Sequence, residues 1–101
     1  MIKILGIDPG SINTGYGIIE SKGNYNKHIK NGVIKIKAKK LAEKLKIINS
    51  EITTIIETFK PDEIAIEKVF MHRNADSALK LGQARGAAIT ACAVNDIPLF
   101  E

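Results

Sequence analysis

Cysteine is nearly missing from this sequence: of 101 residues only Cys92 carries a thiol, and it sits in an alanine-rich helical pattern. A single thiol excludes a disulfide framework, and a reducing compartment is expected. Long hydrophobic runs are missing too, since the uninterrupted apolar stretches fall far short of the ~20 residues that cross a bilayer. Met1-Ile2-Lys3 leads straight into a strand pattern without a signal-peptide signature, so no membrane partner and a cytoplasmic location are expected. Repeats, linkers and low-complexity tracts are absent, which leaves one domain, 1–101, around a single core. A chain of this size buries roughly 65% of its unfolded surface. An acidic excess is also lacking. Fifteen Lys and Arg against 11 Asp and Glu give a net charge of +4, which permits a nucleic-acid partner without requiring one.

What is present reads as alternating elements. Lys3 to Asp8 is apolar almost without alternation, as in a central strand buried on both faces. Tyr16 to Ser21 reads as a second strand, Gly23-Asn24 as a turn, and His28 to Lys37 as a third strand. In that third strand Ile29, Val33 or Ile34, and Ile36 alternate imperfectly. Short connections favour an antiparallel meander. The period then changes: Leu41, Leu45, Ile48, Ile52, Ile55, Ile56 and Phe59 share one helical face, with Glu43, Lys46, Ser50, Thr54 and Glu57 opposite. Pro61 ends that helix. Glu63 to Glu67 follows as a short strand, and the intervening helix makes a crossover, so this strand runs parallel to its neighbour. The apolar first strand is the natural neighbour. Asn74 caps a second helix, with Asp76 in its first turn, and the helix runs to about Asn95-Asp96. Pro98 to Phe100 begins a last strand and the sequence stops at Glu101, as in a fragment of a longer protein. The expected fold class is α/β: a mixed sheet of three antiparallel strands, then parallel strands with crossover helices. That is the ribonuclease H-like order, truncated at the C-terminus.

The segment GIDPGS, Gly6 to Ser11, places Asp8 where the first strand runs out. With the first and fourth strands adjacent, Asp8 and Glu67 both stand at carboxyl ends about 4.8 Å apart. Two inward carboxylates there can share a divalent cation, and hard oxygen donors with open positions suit Mg²⁺. Two such ions about 3.5–4 Å apart would serve phosphodiester hydrolysis. Gly6 and Ala65, two residues before each acid on the same face, leave room beneath, although small residues also permit close helix packing. Asp8 reads equally as a solvated turn acid, and two carboxylates are few ligands for two cations. Asp62 and Glu63 lie at the far end of the fourth strand, about 13–16 Å from Glu67. Gly10 to Gly15 has the spacing of a phosphate loop, but Tyr16 stands where that loop needs lysine. Actin-like ATPases carry a similar turn, in which Gly10 and Ser11 would donate to nucleotide phosphate. The plainest reading makes Gly10, Gly15 and Gly17 turn formers.

Taken together, ILGIDPGSINTGYGII, IAIEKVFMHRNADSALKLGQARG and the closing PLFE resemble the RuvC family of bacterial Holliday junction resolvases. The second block is the more specific, because Glu67, Phe70, Asn74 and the run Ala75 to Gly86 match together. The resemblance implies a metal-dependent, structure-selective endonuclease with two Mg²⁺ per complete site, Mn²⁺ being able to substitute. It implies a homodimer that nicks four-way junction DNA symmetrically in recombination and repair, alongside the RuvA and RuvB branch-migration proteins. Asp8 and Glu67 align with two of the family's four catalytic acids, as metal ligands. The other two belong to a later helix outside these 101 residues, so this chain is expected to be inactive by itself.

Phe70 aligns with an aromatic that stacks on bases at the junction centre, an interaction worth about 1–3 kcal/mol; a loop phenylalanine tucked into the core is the alternative. Ser11, Arg73 and Asn74 are assigned DNA contact beside it. Lys80 and Arg85 could meet phosphate or be solvated. Lys37 and Lys39, clustered with Lys27, Lys30, Lys35 and Lys40, form either a phosphate-contacting surface or a solubilising face. Leu79, Gly82 and Gly86 on the second helix admit another backbone: the sheet by default, a second copy in the family. His28 and His72 receive no role. Two rival readings are an actin-like ATPase nucleotide-binding domain, against which the second block argues, and a catalytically incomplete DNA-binding or dimerisation module.

Overall fold

The structure, a computed structural model, describes residues 1–68 and 74–101. Along the chain come β1 (Ile2–Asp8), β2 (Asn13–Lys22), β3 (Tyr25–Lys35), α1 (Leu41–Phe59), β4 (Glu63–Ile66), α2 (Ala75–Val94) and β5 (Leu99–Phe100). The five strands form one sheet in the order β3-β2-β1-β4-β5. β1 to β3 are antiparallel neighbours, and β4 and β5 pair parallel. This is the ribonuclease H-like arrangement expected from the element order.

The hairpin of β2 and β3 is longer than the hydrophobic pattern suggested. Asn13 to Gly15 pair with Val33 to Lys35, so pairing on both sides draws the glycine-rich Gly15-Tyr16-Gly17 into a strand despite its weak propensity. The imperfect alternation in β3 has a cause. Ile18 pairs with Lys30 but Ile19 with His28, which leaves Ile29 as the extra residue of a β-bulge. Past the bulge Ile34 faces the core and Val33 stays 59% exposed. Ile36 lies beyond the end of β3, not within it, and its N–H donates to the Ile12 carbonyl at 2.9 Å.

Helix α1 buries Ile48, Ile52, Ile55 and Ile56, while Leu41 at its start is exposed. It ends on Lys60 in the left-handed conformation, whose N–H returns to Ile56 O. The chain is then tied to the start of β1. Lys3 N donates to Asp62 Oδ2 and Asp62 N to Lys3 O, both at 2.8 Å, and Lys3 Nζ donates to the Phe59 carbonyl at 2.9 Å. These bonds fix where β4 starts, and the register follows: Ile4 opposite Glu63, Gly6 opposite Ala65, Ile7 opposite Ile66.

Both helices lie on one face of the sheet. Leu5, Ile7, Ile18, Ile34, Ile64 and Ile66 meet the α1 isoleucines together with Ala84, Ala88, Ala91 and Cys92 of α2. Small residues let α2 sit close, and burial pushes the Cys92 thiol up to about 11, so it behaves as a small apolar group. The other face carries Ile2, Gly6, Asp8, Gly15, Gly17, Val33, Ala65 and Phe100, and no helix of the described residues covers it. β1 is therefore central but buried on one face only, which corrects the reading of its apolar run. No helix among the described residues is long and apolar enough to cross a membrane.

Ile64, fully buried between sheet and helices, should cost about 2–5 kcal/mol on replacement by alanine. Val33→Ala, on the open face, should stay within about 0.5 kcal/mol; urea unfolding of the two variants measures the contrast.

Candidate active site

Asp8 is the last residue of β1, and the turn after it is built around Gly10 and Thr14. A Cβ on Gly10 would lie 2.1 Å from the Asn13 carbonyl oxygen, so only glycine fits. Thr14, fully buried, closes the turn with one hydroxyl: Oγ1 donates to Gly10 O at 2.9 Å and accepts from Gly10 N at 3.2 Å. The Asp8 carboxylate thus leaves a strand end whose next turn is pinned on both sides.

Glu67 follows the last residue of β4, and its N–H donates to Ile7 O at 3.0 Å, which carries the parallel ladder one step further. Asp8 and Glu67 thus stand side by side at the tips of neighbouring strands. Hydrogen bonding between the two carboxyls first, and the Asp8 charge next, hold the Glu67 carboxyl above its ordinary value of 4.5. Like charges held together at a strand rim make the pair a candidate cation site.

A cavity of about 520 Å³ opens over this pair, lined by Gly6, Gly15, Gly17 and Ala65 beside the acids. Gly15 and Gly17 lie within β2, opposite Asp8 and Gly6, and do not form turns; their reading as turn formers is corrected. Neither they nor Gly6 have a positive φ, and an added Cβ would meet its nearest neighbour at 3.8 to 3.9 Å, an ordinary contact. Strand glycine costs roughly 0.5–1 kcal/mol relative to alanine. With neither backbone strain nor crowding to require them, the consequence of these glycines is open space above the sheet. The helices pack on the opposite face, so close helix packing does not explain Gly6 and Ala65.

Among the described residues no third histidine, cysteine or acid joins the pair to complete a metal-ligand group. Glu101, at the same rim, is held instead by Arg85, and Glu63 stands at the opposite end of β4. The donor set of two carboxylates over an open floor fits a hard divalent cation that keeps most of its other positions for water and phosphate.

The remaining expected site residues are spread over the surface. Ser11, Lys39, Lys80 and Leu79 come together along a groove of about 280 Å³ between the starts of α1 and α2. Lys44, which sequence reasoning passed over, lines the same groove. Its helical spacing placed it beside Leu41 and Leu45, but only the contact of α1 with α2 brings it to Lys80. Lys80 also pairs with Asp76 at 3.0 Å. Lys37 lies away from this groove and, like Lys27, Lys30, Lys35, Lys39 and Lys40, is exposed. Asn74 caps α2, its Oδ1 accepting from Ser77 N at 2.8 Å. Gly82 and Gly86 are exposed, with nothing within 4 Å of an added Cβ, so the sheet contact that was their default explanation is overturned. Leu79, 60% exposed, lies on the same outward side. His28 is exposed on β3, while Phe70, His72 and Arg73 lie outside the described residues.

A ribonuclease H-like sheet with two acids at the tips of parallel neighbours defines the fold class, and sequence comparison narrows it. The family described as crossover junction endodeoxyribonuclease RuvC matches residues 4–101, and the chain belongs to that family. It is 56% identical over 98 residues to a crossover junction endodeoxyribonuclease RuvC of Haemophilus ducreyi, covering 97% of this chain and 51% of that protein. A Shewanella RuvC is 52% identical over 101 residues, 58% of its length. The chain thus spans little more than half the length of these curated relatives. Among solved structures, T. thermophilus RuvC in complex with a Holliday junction substrate superposes with a TM-score of 0.90 at 27% identity, over 98% of this chain and 61% of the other.

Two substitutions probe the site without any ligand. Gly10→Ala should destabilise by about 1–3 kcal/mol through its clash with Asn13. Glu67→Gln should act in the opposite direction. A raised folded-state value means the contribution of Glu67 to stability is intact below 4.5 and is lost as pH rises through that raised value. The variant should therefore melt above the parent at pH 7, with the gap closing below pH 4.5; melting curves across pH check the sign.

Proposed function

We propose that this chain is the N-terminal, ribonuclease H-like portion of a Holliday junction resolvase, with further catalytic acids supplied by sequence that lies beyond Glu101 in the longer relatives. The single observation that supports this reading best is the meeting of Asp8 and Glu67 over a glycine floor in a chain of the RuvC family. The proposed substrate is four-way junction DNA, as in the T. thermophilus complex, and the proposed setting is the bacterial cytoplasm.

Asp8 and Glu67 would hold Mg²⁺, or Mn²⁺ in its place, two ions per complete site. The metal, when bound, supplies Lewis-acid stabilisation of a phosphodiester under attack and lowers the proton affinity of water. The protein's own part is positional. Gly10 and Thr14 hold the turn behind Asp8, the β4 ladder holds Glu67, and the Gly6, Gly15, Gly17 and Ala65 floor admits a bulky backbone. The charge repulsion between the two acids is relieved when a cation arrives, so divalent metal should raise the melting temperature at neutral pH.

DNA contacts are assigned to Ser11, Asn74, Lys80, Lys37 and Lys39, with Phe70 stacking on bases and Arg73 beside it; Arg85, mostly buried and paired with Glu101, is not available to phosphate in this arrangement. Each lysine that meets a phosphate adds close to one unit to the salt slope of binding. The outward Leu79, Gly82 and Gly86 surface of α2 is assigned to a second copy of the chain, since small residues there admit a close backbone approach. Joint action with RuvA and RuvB belongs to the same proposal.

Gel-shift titration with synthetic four-way and linear duplex DNA tests the reading. The chain should prefer the junction, and Phe70→Ala should weaken junction binding by roughly 1–3 kcal/mol. Equal affinity for both DNAs would overturn it. Incubated with Mg²⁺, the 101-residue polypeptide should leave the junction uncut, because two carboxylates do not complete the ligand set. Cleavage that disappears in Asp8→Asn would refute that expectation. Gly82→Arg should abolish self-association in sedimentation experiments if α2 forms the dimer contact.

A further inference from the structure

We propose that Arg85 is a positioning residue for Glu67, fixing the tip of β4 by bridging its main chain to Glu101; this rests on reading Asp8 and Glu67 as one ligand pair. Arg85 projects from the middle of α2, and its side chain is only 17% exposed, against 50% for Glu101. Its Nε donates to the Glu67 carbonyl at 3.4 Å and its Nη2 pairs with Glu101 Oε1. The parallel pairing of β5 with β4, Ala65 opposite Phe100, carries Glu101 one residue further to the rim beside Ile66.

The chemistry suits this task. A guanidinium is a planar fork that can serve two acceptors on different strands at once, which an ammonium does with far less directional constraint. A charge largely withdrawn from water also needs its partners, so the bridge resists opening more than an exposed ion pair would. Glu67 has reason to depend on it. Its side chain is exposed, and β4 has ended one residue earlier, so the carboxylate is placed through its own main chain. That main chain has two anchors: the N–H bonded to Ile7 O and the carbonyl bonded to Arg85. The Asp8 side of the pair has the Thr14–Gly10 bonds in the corresponding place. Glu101, occupied by Arg85, acts as the counter-charge of this brace and not as a third ligand.

Amide hydrogen exchange of the full 101-residue chain separates local positioning from general stability. Arg85→Gln should speed exchange of the Glu67 amide by about tenfold, the loss of one charge-assisted hydrogen bond, while the α1 amides of Ile52 and Ile56 keep their protection. Glu101→Gln, at an exposed carboxylate, should shift the Glu67 amide in the same direction with the fold undisturbed. Arg85→Lys should restore only part of the protection. Mn²⁺ line broadening at Gly6 and Ala65 should then need several-fold more metal in Arg85→Gln than in the parent. Unchanged Glu67 exchange in both Arg85→Gln and Glu101→Gln, or acceleration spread evenly over the α1 amides, would overturn the proposal. The ligand-pair reading fails separately, if broadening at Gly6 and Ala65 is absent from the parent or survives Asp8→Asn.

Discussion

The reciprocal hydrogen bonds between Lys3 and Asp62 decide where β4 begins against β1, and the whole rim depends on that register. Side chains alternate along a strand, so a slip of one residue would turn Ala65 and Glu67 toward the helices and Ile64 and Ile66 into water. The burial of Ile64 and Ile66 against α1 and α2 enforces the same alignment from the other side. Core packing and site geometry are therefore one constraint seen from two faces. Whatever stabilises the apolar face also brings Glu67 level with Asp8.

The two faces of the sheet are built on opposite principles. Toward the helices the residues are branched and close-packed, with isoleucine from α1 meeting isoleucine and leucine from the strands. Away from them glycine and alanine leave the backbone bare beneath two carboxylates. A bare surface sacrifices some local stability, and at its rim the Asp8 carboxyl holds that of Glu67 above its ordinary value. Such concessions concentrate where a ligand is to be received. A cation and a phosphate backbone together would supply the missing charge balance and fill the missing volume.

Rigidity around the acids comes from side chains that never reach the cavity. Thr14 is buried and closes the turn behind Asp8. Arg85 reaches from α2 to the Glu67 carbonyl and to Glu101, joining helix and two parallel strands at one point. On the outer side of α2, an added Cβ at Gly82 or Gly86 would meet nothing within 4 Å, and Leu79 beside them is 60% exposed. The inner side of the same helix uses alanine for close packing. One helix thus separates a surface that serves the domain from a surface open to another molecule.

Periodicity along the chain was enough to find all five strands and both helices, because burial on one face imposes a repeat of two or of 3.6 residues wherever it acts. It also placed the boundaries of α1 and α2 closely, through Pro61 and Asn74. It misjudged β2 and β3, because glycines and a bulge interrupt the repeat while cross-strand hydrogen bonds hold the pairing. Asp8 and Glu67 could be named as a candidate pair from motif spacing and family resemblance, since both mark strand ends in the local pattern. The opening of the sheet on one face, the true place of Gly15 and Gly17, the Thr14 staple and the Arg85 bridge were invisible in one dimension. Except for the Thr14 staple, which is a local turn bond, each joins residues far apart in the chain or depends on which face a strand turns outward. Local pattern determined the elements; only their packing decided which of those residues meet.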